Sequence, residues 1–154
     1  MKKLILLSLL LVGCASNGIT FLYLREGEEK IRVEYLENAG GTVELVKEDV
    51  DLMFTNNETF ILYNYSETCP HCQNFKPILN SVIIDIDIKI YAVSTDELMG
   101  KNEYYEFKSI PNIAVIIEGE FFRNINPNVF AKMFTDFNIL KRFFVDNFIW
   151  EPID

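Results

Sequence analysis

One histidine and three cysteines in 154 residues leave little with which to build a metal centre. A structural zinc site takes four ligands, and only Cys69, His71 and Cys72 stand together here, with His71 poorly placed between the two thiols. Basic residues are scarce as well: 14 Lys and Arg against 23 Asp and Glu give a net charge of −9. That is the wrong sign for nucleic acid or for electrostatic adhesion to anionic lipid. The longest apolar run, residues 4–12, falls far short of the roughly 20 residues that cross a bilayer as a helix. The chain also lacks an internal repeat, a P-loop, a dinucleotide fingerprint and any low-complexity segment, so nothing marks it as a solenoid or a nucleotide enzyme.

What is abundant is apolar and aromatic: 49% hydrophobic residues, including 13 Phe and 7 Tyr. This suffices for the core of one compact domain. At the start, Lys2 and Lys3 precede the short apolar run, the layout of a secretory signal peptide. The run ends in Leu11-Val12-Gly13-Cys14, which resembles a bacterial lipobox. The expectation is a signal peptide over 1–13, a lipidated Cys14 with a tether over 14–18, and a folded domain over 19–154. The alternative is an ordinary signal peptide or an uncleaved N-terminus with Cys14 a bystander. Loss of Lys2 and Lys3 would take the net charge from −9 to −11. Outside the cytoplasm disulfides persist, so localisation at the outer face of a bacterial cell membrane gives the remaining Cys69 and Cys72 a redox context. With no further thiol, electrons pass to or from another protein or a small thiol.

Along the domain, 19–25 and 30–36 alternate as strands and are read as an N-terminal hairpin extension over 19–41. A short strand follows at 42–45, then an amphipathic helix at 47–56 through Val50, Met53 and Phe54. Residues 60–65 form an apolar and aromatic strand. Residues 72–82 are a helix burying Phe75, Ile78, Leu79 and Val82, which Pro77 should kink. The alternating run IDIDIKIYAV, 84–93, is read as a strand and 96–107 as a helix. A strand at 113–117, a turn at Glu118-Gly119 and a strand at 121–125 make a hairpin. Asn126-Pro127 starts one or two terminal helices with an aromatic stripe through Phe130, Met133, Phe134, Phe137, Leu140, Phe144 and Phe148.

The chemistry gathers at Cys69-Pro70-His71-Cys72, between a strand and a helix. Thr68 is a candidate N-cap and Pro70 fits the first helical turn. Both thiols then lie on that turn. Cys69 sits at the positive end of the helix dipole, next to His71, and both influences favour a thiolate. Besides zinc, a permanent structural disulfide is the plainer alternative, although so short a loop constrains the unfolded chain little.

This motif after an apolar strand resembles the active site of the thioredoxin superfamily, and its Pro70-His71 dipeptide is that of DsbA-type oxidases. Pro77 resembles the helix proline of thioredoxins, and Ile110-Pro111 their cis-proline loop. The resemblance covers about 42–148. It implies an α/β fold with a central mixed sheet flanked by helices, with no room for the helical insertion of DsbA-type proteins. It further implies that Cys69 forms the mixed disulfide, that Cys72 resolves it, that Pro70 and His71 tune the pair, and that Ile110 and Pro111 seat an extended substrate segment. No cofactor is implied. Partners would be protein thiols and disulfides plus a redox partner. At the position of the family's buried acid stands Tyr63, a poor proton carrier near neutral pH. Asn64 and Glu67 lie nearby without an assigned role. The pattern from Tyr63 to Pro77 also resembles thioredoxin-like bacteriocin transport accessory proteins. The expected function is an extracytoplasmic, lipid-anchored thiol–disulfide oxidoreductase. The alternatives are a non-catalytic accessory lipoprotein and a metal-binding surface lipoprotein.

Overall fold

A computed structural model describes residues 30–98 and 109–150 of the chain. The signal-peptide and Cys14 readings, the strand expected at 19–25 and most of the helix expected over 96–107 lie outside these residues. In chain order the elements are β1 (Ile31–Arg32), β2 (Val43–Glu44), α1 (Lys47–Thr55), β3 (Phe60–Tyr65), α2 (Pro70–Ile86), β4 (Tyr91–Ser94) and α3 (Thr95–Leu98). There follow β5 (Asn112–Ile117), β6 (Glu120–Ile125), α4 (Pro127–Phe130), a 3-10 turn (Ala131–Phe134), α5 (Phe137–Asn147) and β7 (Phe148–Ile149).

Five strands form one mixed sheet in the order β2-β4-β3-β5-β6. The β2–β4 and β4–β3 pairs are parallel, while β5 runs antiparallel to both β3 and β6. All six residues of the central strand β3 are buried, as a strand covered on both faces requires. Successive side chains go to opposite faces, and two clusters result. Ile61, Tyr63 and Tyr65 join Phe75, Leu79, Val82 and Ile83 of α2 and Leu140, Phe143 and Phe144 of α5. Phe60 and Leu62 join Val50, Met53 and Phe54 of α1, with Tyr91 and Val93 of β4. The fold is therefore the α/β mixed sheet flanked by helices that the sequence led us to expect.

The strand expected over 84–93 is corrected to Tyr91–Ser94, because α2 continues to Ile86. Helical spacing carries Leu79, Val82 and Ile83 into the core and leaves Ile84 exposed, where a strand would have buried it. Asp87 then turns the chain with a left-handed φ of 53°, its N–H donating to the Ile83 carbonyl. Asp85 is an outward residue of the helix, paired with Lys141 at 2.6 Å. Only Ile88 and Ile90, both fully buried, keep the extended alternation into β4.

The expected strand over 30–36 contracts to β1, which pairs in parallel with β7 in a separate two-stranded sheet. Phe148, placed on the terminal helical stripe by its spacing, instead begins β7. The β5–β6 hairpin forms as expected, with positive φ at Glu118 (52°) and Gly119 (73°), the pair of conformations that a two-residue type I′ turn needs. A Cβ at Gly119 would come within 2.5 Å of the Phe54 carbonyl oxygen, so no other residue fits there.

Candidate functional site: the Cys69–Cys72 turn

Four residues separate the end of β3 from the start of α2, and their hydrogen bonds decide where each thiol lies. The Ser66 and Thr68 hydroxyls are 3.0 Å apart, and Thr68 N–H donates to Ser66 Oγ at 3.3 Å. Cys69 N–H donates to the Ser66 carbonyl at 3.2 Å. Gln73 Nε2 reaches back to the Glu67 carbonyl at 2.7 Å and ties the turn to the helix.

The N-cap of α2 is Cys69, not Thr68 as the sequence led us to expect. Two causes are visible. Pro70, at the first helical position, drives the residue before it out of the helical region, and Cys69 is accordingly extended at φ −83°, ψ 114°. Thr68, meanwhile, is engaged with Ser66. Cys69 Sγ takes the capping role itself and accepts the Cys72 N–H at 3.3 Å. A sulfur at a helix N-cap meets unpaired N–H groups and the positive end of the helix dipole, which together favour its anion.

The two thiols differ in access. Cys69 is half-buried and Cys72 only 2% exposed, and both are free. Pro70 and His71 are exposed on the outer side of the turn. Burial above all, and then Cys69, push the Cys72 thiol up to about 12, while the Ser66 backbone N–H and the Tyr63 hydroxyl pull the other way. Tyr63 lies beneath the pair with no exposed surface, its hydroxyl donating to the Cys72 carbonyl at 3.4 Å. Its ring stacks on Tyr65 (5.4 Å, 15° between planes) and meets the edge of Phe75 at 5.5 Å. Burial, followed by the neighbouring thiols, raises the Tyr63 phenol far above its ordinary range, so it remains protonated.

Pro111 comes to the same end of the sheet. Asn64 of β3 faces Asn112 of β5 in antiparallel register, so the Ile110-Pro111 step lies just beyond, beside the loop that carries Cys69. Its peptide bond is cis, with Pro111 buried and Ile110 half-buried. Ile110 and Cys69 both pack against the apolar cluster that contains Cys72. The structure thus gathers Cys69, Pro70, His71, Cys72, Ile110 and Pro111 at one edge, while Cys14 lies outside the described residues. Pro77 stands inside α2, where its missing N–H leaves the Gln73 carbonyl without the usual helical donor.

Two polar features escaped the sequence reading. Asn64, noted there without a role, points to the face opposite Tyr63, as strand alternation dictates. It is fully buried and donates to Asn112 Oδ1 at 3.5 Å, while Asn112 Nδ2 donates to the Ser109 carbonyl at 3.3 Å. This chain of bonds fastens the Ser109–Asn112 loop to β3. The second feature is a triad beside the site. Tyr65 Oη donates to Glu44 at 2.8 Å, and Lys76 pairs with Glu44 at 2.9 Å while lying 4.5 Å above the Tyr65 ring. Burial first, and then Glu44, raise the Tyr65 phenol. No spacing in the sequence announces this triad, because its members come from three separate elements.

The thioredoxin family model matches residues 41–136. Among solved structures, mitochondrial thioredoxin 3 from Saccharomyces cerevisiae in its oxidized form is similar at 21% identity, over 59% of this chain and 91% of that one, with a TM-score of 0.45. The J-Trx1 fragment of ERdj5 is similar at 18% identity over 66% of this chain and 49% of that one, with a TM-score of 0.50. The oxidised thioredoxin from Plasmodium falciparum is similar at 16% identity over 61% and 95%, with a TM-score of 0.48. With the order of strands and helices as described and a family match over more than half its length, the chain belongs to the thioredoxin family.

Proposed function

We propose that the protein is a thiol–disulfide oxidoreductase that acts on protein thiols and disulfides through Cys69 and Cys72, held at the outer face of a bacterial cell membrane by a lipid on Cys14. The observation that carries the redox reading is the cap geometry: the more accessible sulfur occupies the N-cap of α2 and already accepts an N–H at 3.3 Å, with a second thiol three residues on and buried. Cys69 thiolate attacks a substrate disulfide, one substrate sulfur leaves as a thiolate, and a mixed disulfide remains. Cys72 then attacks Cys69 Sγ, forms the Cys69–Cys72 disulfide and releases the second substrate thiol. The pair loses two electrons and the substrate gains them; the reverse sequence oxidises a dithiol. Pro70-His71 favours a stabilised reduced pair and hence an oxidising poise. Support for the anchor is the lipobox-like Leu11-Val12-Gly13-Cys14 behind Lys2 and Lys3.

Equilibration of the full chain with glutathione tests the redox reading. The expected result is a Cys69–Cys72 disulfide with a potential well above the roughly −270 mV of thioredoxin, and complete loss of disulfide turnover in Cys69→Ser. A potential near that of thioredoxin would replace the oxidant with a reductant. Undiminished function of a Cys69→Ser, Cys72→Ser double variant in a deletion strain would favour a non-catalytic accessory protein. Incorporation of labelled fatty acid, lost in Cys14→Ala, tests the anchor.

A further inference from the structure

We propose that the Tyr63 hydroxyl is the hydrogen-bond donor that Cys72 uses when it becomes a thiolate and resolves the mixed disulfide. The inference rests on the redox reading above and assigns a role at the position where a proton-carrying acid was expected. Cys72 is 2% exposed, so a thiolate there is almost without water and is costly unless donors replace it. The Tyr63 hydroxyl lies against the same residue, 3.4 Å from its carbonyl oxygen, and both it and the Ser66 backbone act to lower the thiol.

The hydroxyl has one proton to give. It is directed to the Cys72 carbonyl at 3.4 Å, a long and weak bond. An anionic sulfur on the same residue is a stronger acceptor than a carbonyl, so the proton swings to the sulfur as charge develops. Packing keeps the hydroxyl within that short reach, since the ring is held by Tyr65 on one side and Phe75 on another and has no exposed surface. Among the described residues, the titratable groups that act on it are Cys69, the N-cap of α2, Cys72 of α2 and Tyr65 of β3. None of these supplies a carboxylate base. Tyr63, held protonated by burial, gives a hydrogen bond and never takes the proton.

The step balances without a protein base. Cys72 loses its proton to solvent, its thiolate attacks Cys69 Sγ, the Cys69–Cys72 bond forms as the bond to the substrate sulfur breaks, and the departing substrate thiolate takes a proton from solvent. Tyr63 stabilises the attacking anion before the bond forms and is released afterwards.

The reduced full chain carrying Cys14→Ala, whose only thiols are Cys69 and Cys72, separates the two in time on reaction with 5,5′-dithiobis(2-nitrobenzoate). Attack by Cys69 releases a first coloured thiolate, and displacement by Cys72 releases a second. Tyr63→Phe keeps the ring contacts and removes only the donor. It is expected to slow the second release about tenfold, the effect of losing one hydrogen bond to a charged group, and to leave the first within about twofold. Tyr65→Phe, which removes the neighbouring hydroxyl, is expected to change neither. An unchanged second release in Tyr63→Phe, or an equal slowing in Tyr65→Phe, overturns the role of Tyr63 alone. A second release that persists in Cys72→Ser overturns the redox-pair reading and this role with it.

Discussion

Each face of the sheet is closed at its rim by the same three residue types in the same arrangement. On the face that carries the cysteines, Tyr65 donates to Glu44 at 2.8 Å, and Lys76 pairs with that carboxylate at 2.9 Å while covering the Tyr65 ring at 4.5 Å. On the opposite face, Tyr91 donates to Glu34 at 2.8 Å, and Lys89 pairs with it at 2.5 Å while covering the Tyr91 ring at 4.8 Å. The difference lies in what each tyrosine leans on. Tyr91 meets the edge of Phe60 at 6.1 Å and ends in plain apolar core. Tyr65 stacks on Tyr63, whose hydroxyl reaches Cys72. The same clamp is pure scaffold on one face and the outer wall of the candidate site on the other. What an element contributes to function is thus decided by its next contact and not by its own chemistry.

Removing a core ring behind each clamp breaks the comparison most forcefully. Phe75→Ala and Phe60→Ala are each expected to cost about 3–5 kcal/mol in urea unfolding. Where both variants remain folded, only Phe75→Ala should alter the rate at which Cys72 closes the disulfide, because Phe75 touches Tyr63 while Phe60 belongs to the cluster on the other face. Equal effects on that rate would show that the two faces are not separate.

Asn112→Ala sharpens the contrast, since Asn112 belongs to the site end of the sheet without touching the thiols. It leaves Asn64 buried with neither polar end satisfied, at an expected cost of about 1–3 kcal/mol. By releasing the Ser109 carbonyl it should also raise KM for the disulfides of a protein substrate such as insulin severalfold, with the reaction of Cys69 toward a small disulfide unchanged. A proportional loss with both substrates would place its effect on the thiols.

The clamps themselves give the smallest effects. Glu34→Gln and Glu44→Gln are each expected to cost about 1 kcal/mol or less and to lose most of that difference in high salt, as both carboxylates are substantially exposed. For Glu34, burial pushes the carboxyl up, but hydrogen bonds from Lys89 and Tyr91 and the Lys89 charge outweigh it and hold the group below its ordinary value. Its contribution is therefore complete above pH 4.5 and lost as the pH falls through the lowered folded value. Urea midpoints from pH 7 to pH 3, compared with Glu34→Gln, should converge at the acid end.

Much of the fold was legible where local patterning and tertiary environment agree. The run FILYNY is apolar throughout because both faces are covered, and Val50, Met53 and Phe54 keep helical spacing because α1 rests on only one face. The run IDIDIKIYAV misled because helical and strand periods coincide over a few residues. Ile86 belongs to the helical stripe of Val82 and Ile83 as well as to the apparent strand of Ile84 and Ile88, and only the exposure of Ile84 separates the two. At the site, the cysteine pair and Pro111 could be read from motif and order. The cap at Cys69 required the mutual engagement of Ser66 and Thr68, and the Asn64–Asn112 bond required knowledge of register. Contacts between residues 48 positions apart leave no trace in local spacing.

The small parallel pair β1–β7 brings Ile31 beside Phe148 and Arg32 beside Ile149, with Val33 N–H on the Ile149 carbonyl at 3.0 Å and Lys30 Nζ on the Val145 carbonyl at 2.7 Å. None of these bonds involves the five-stranded sheet. Mechanically, the pair is a fuse. A load applied at residue 30 meets this two-residue seam first, and only then the bonds that join Glu34 and Leu36 to Lys89 and Asp87 ahead of the main sheet.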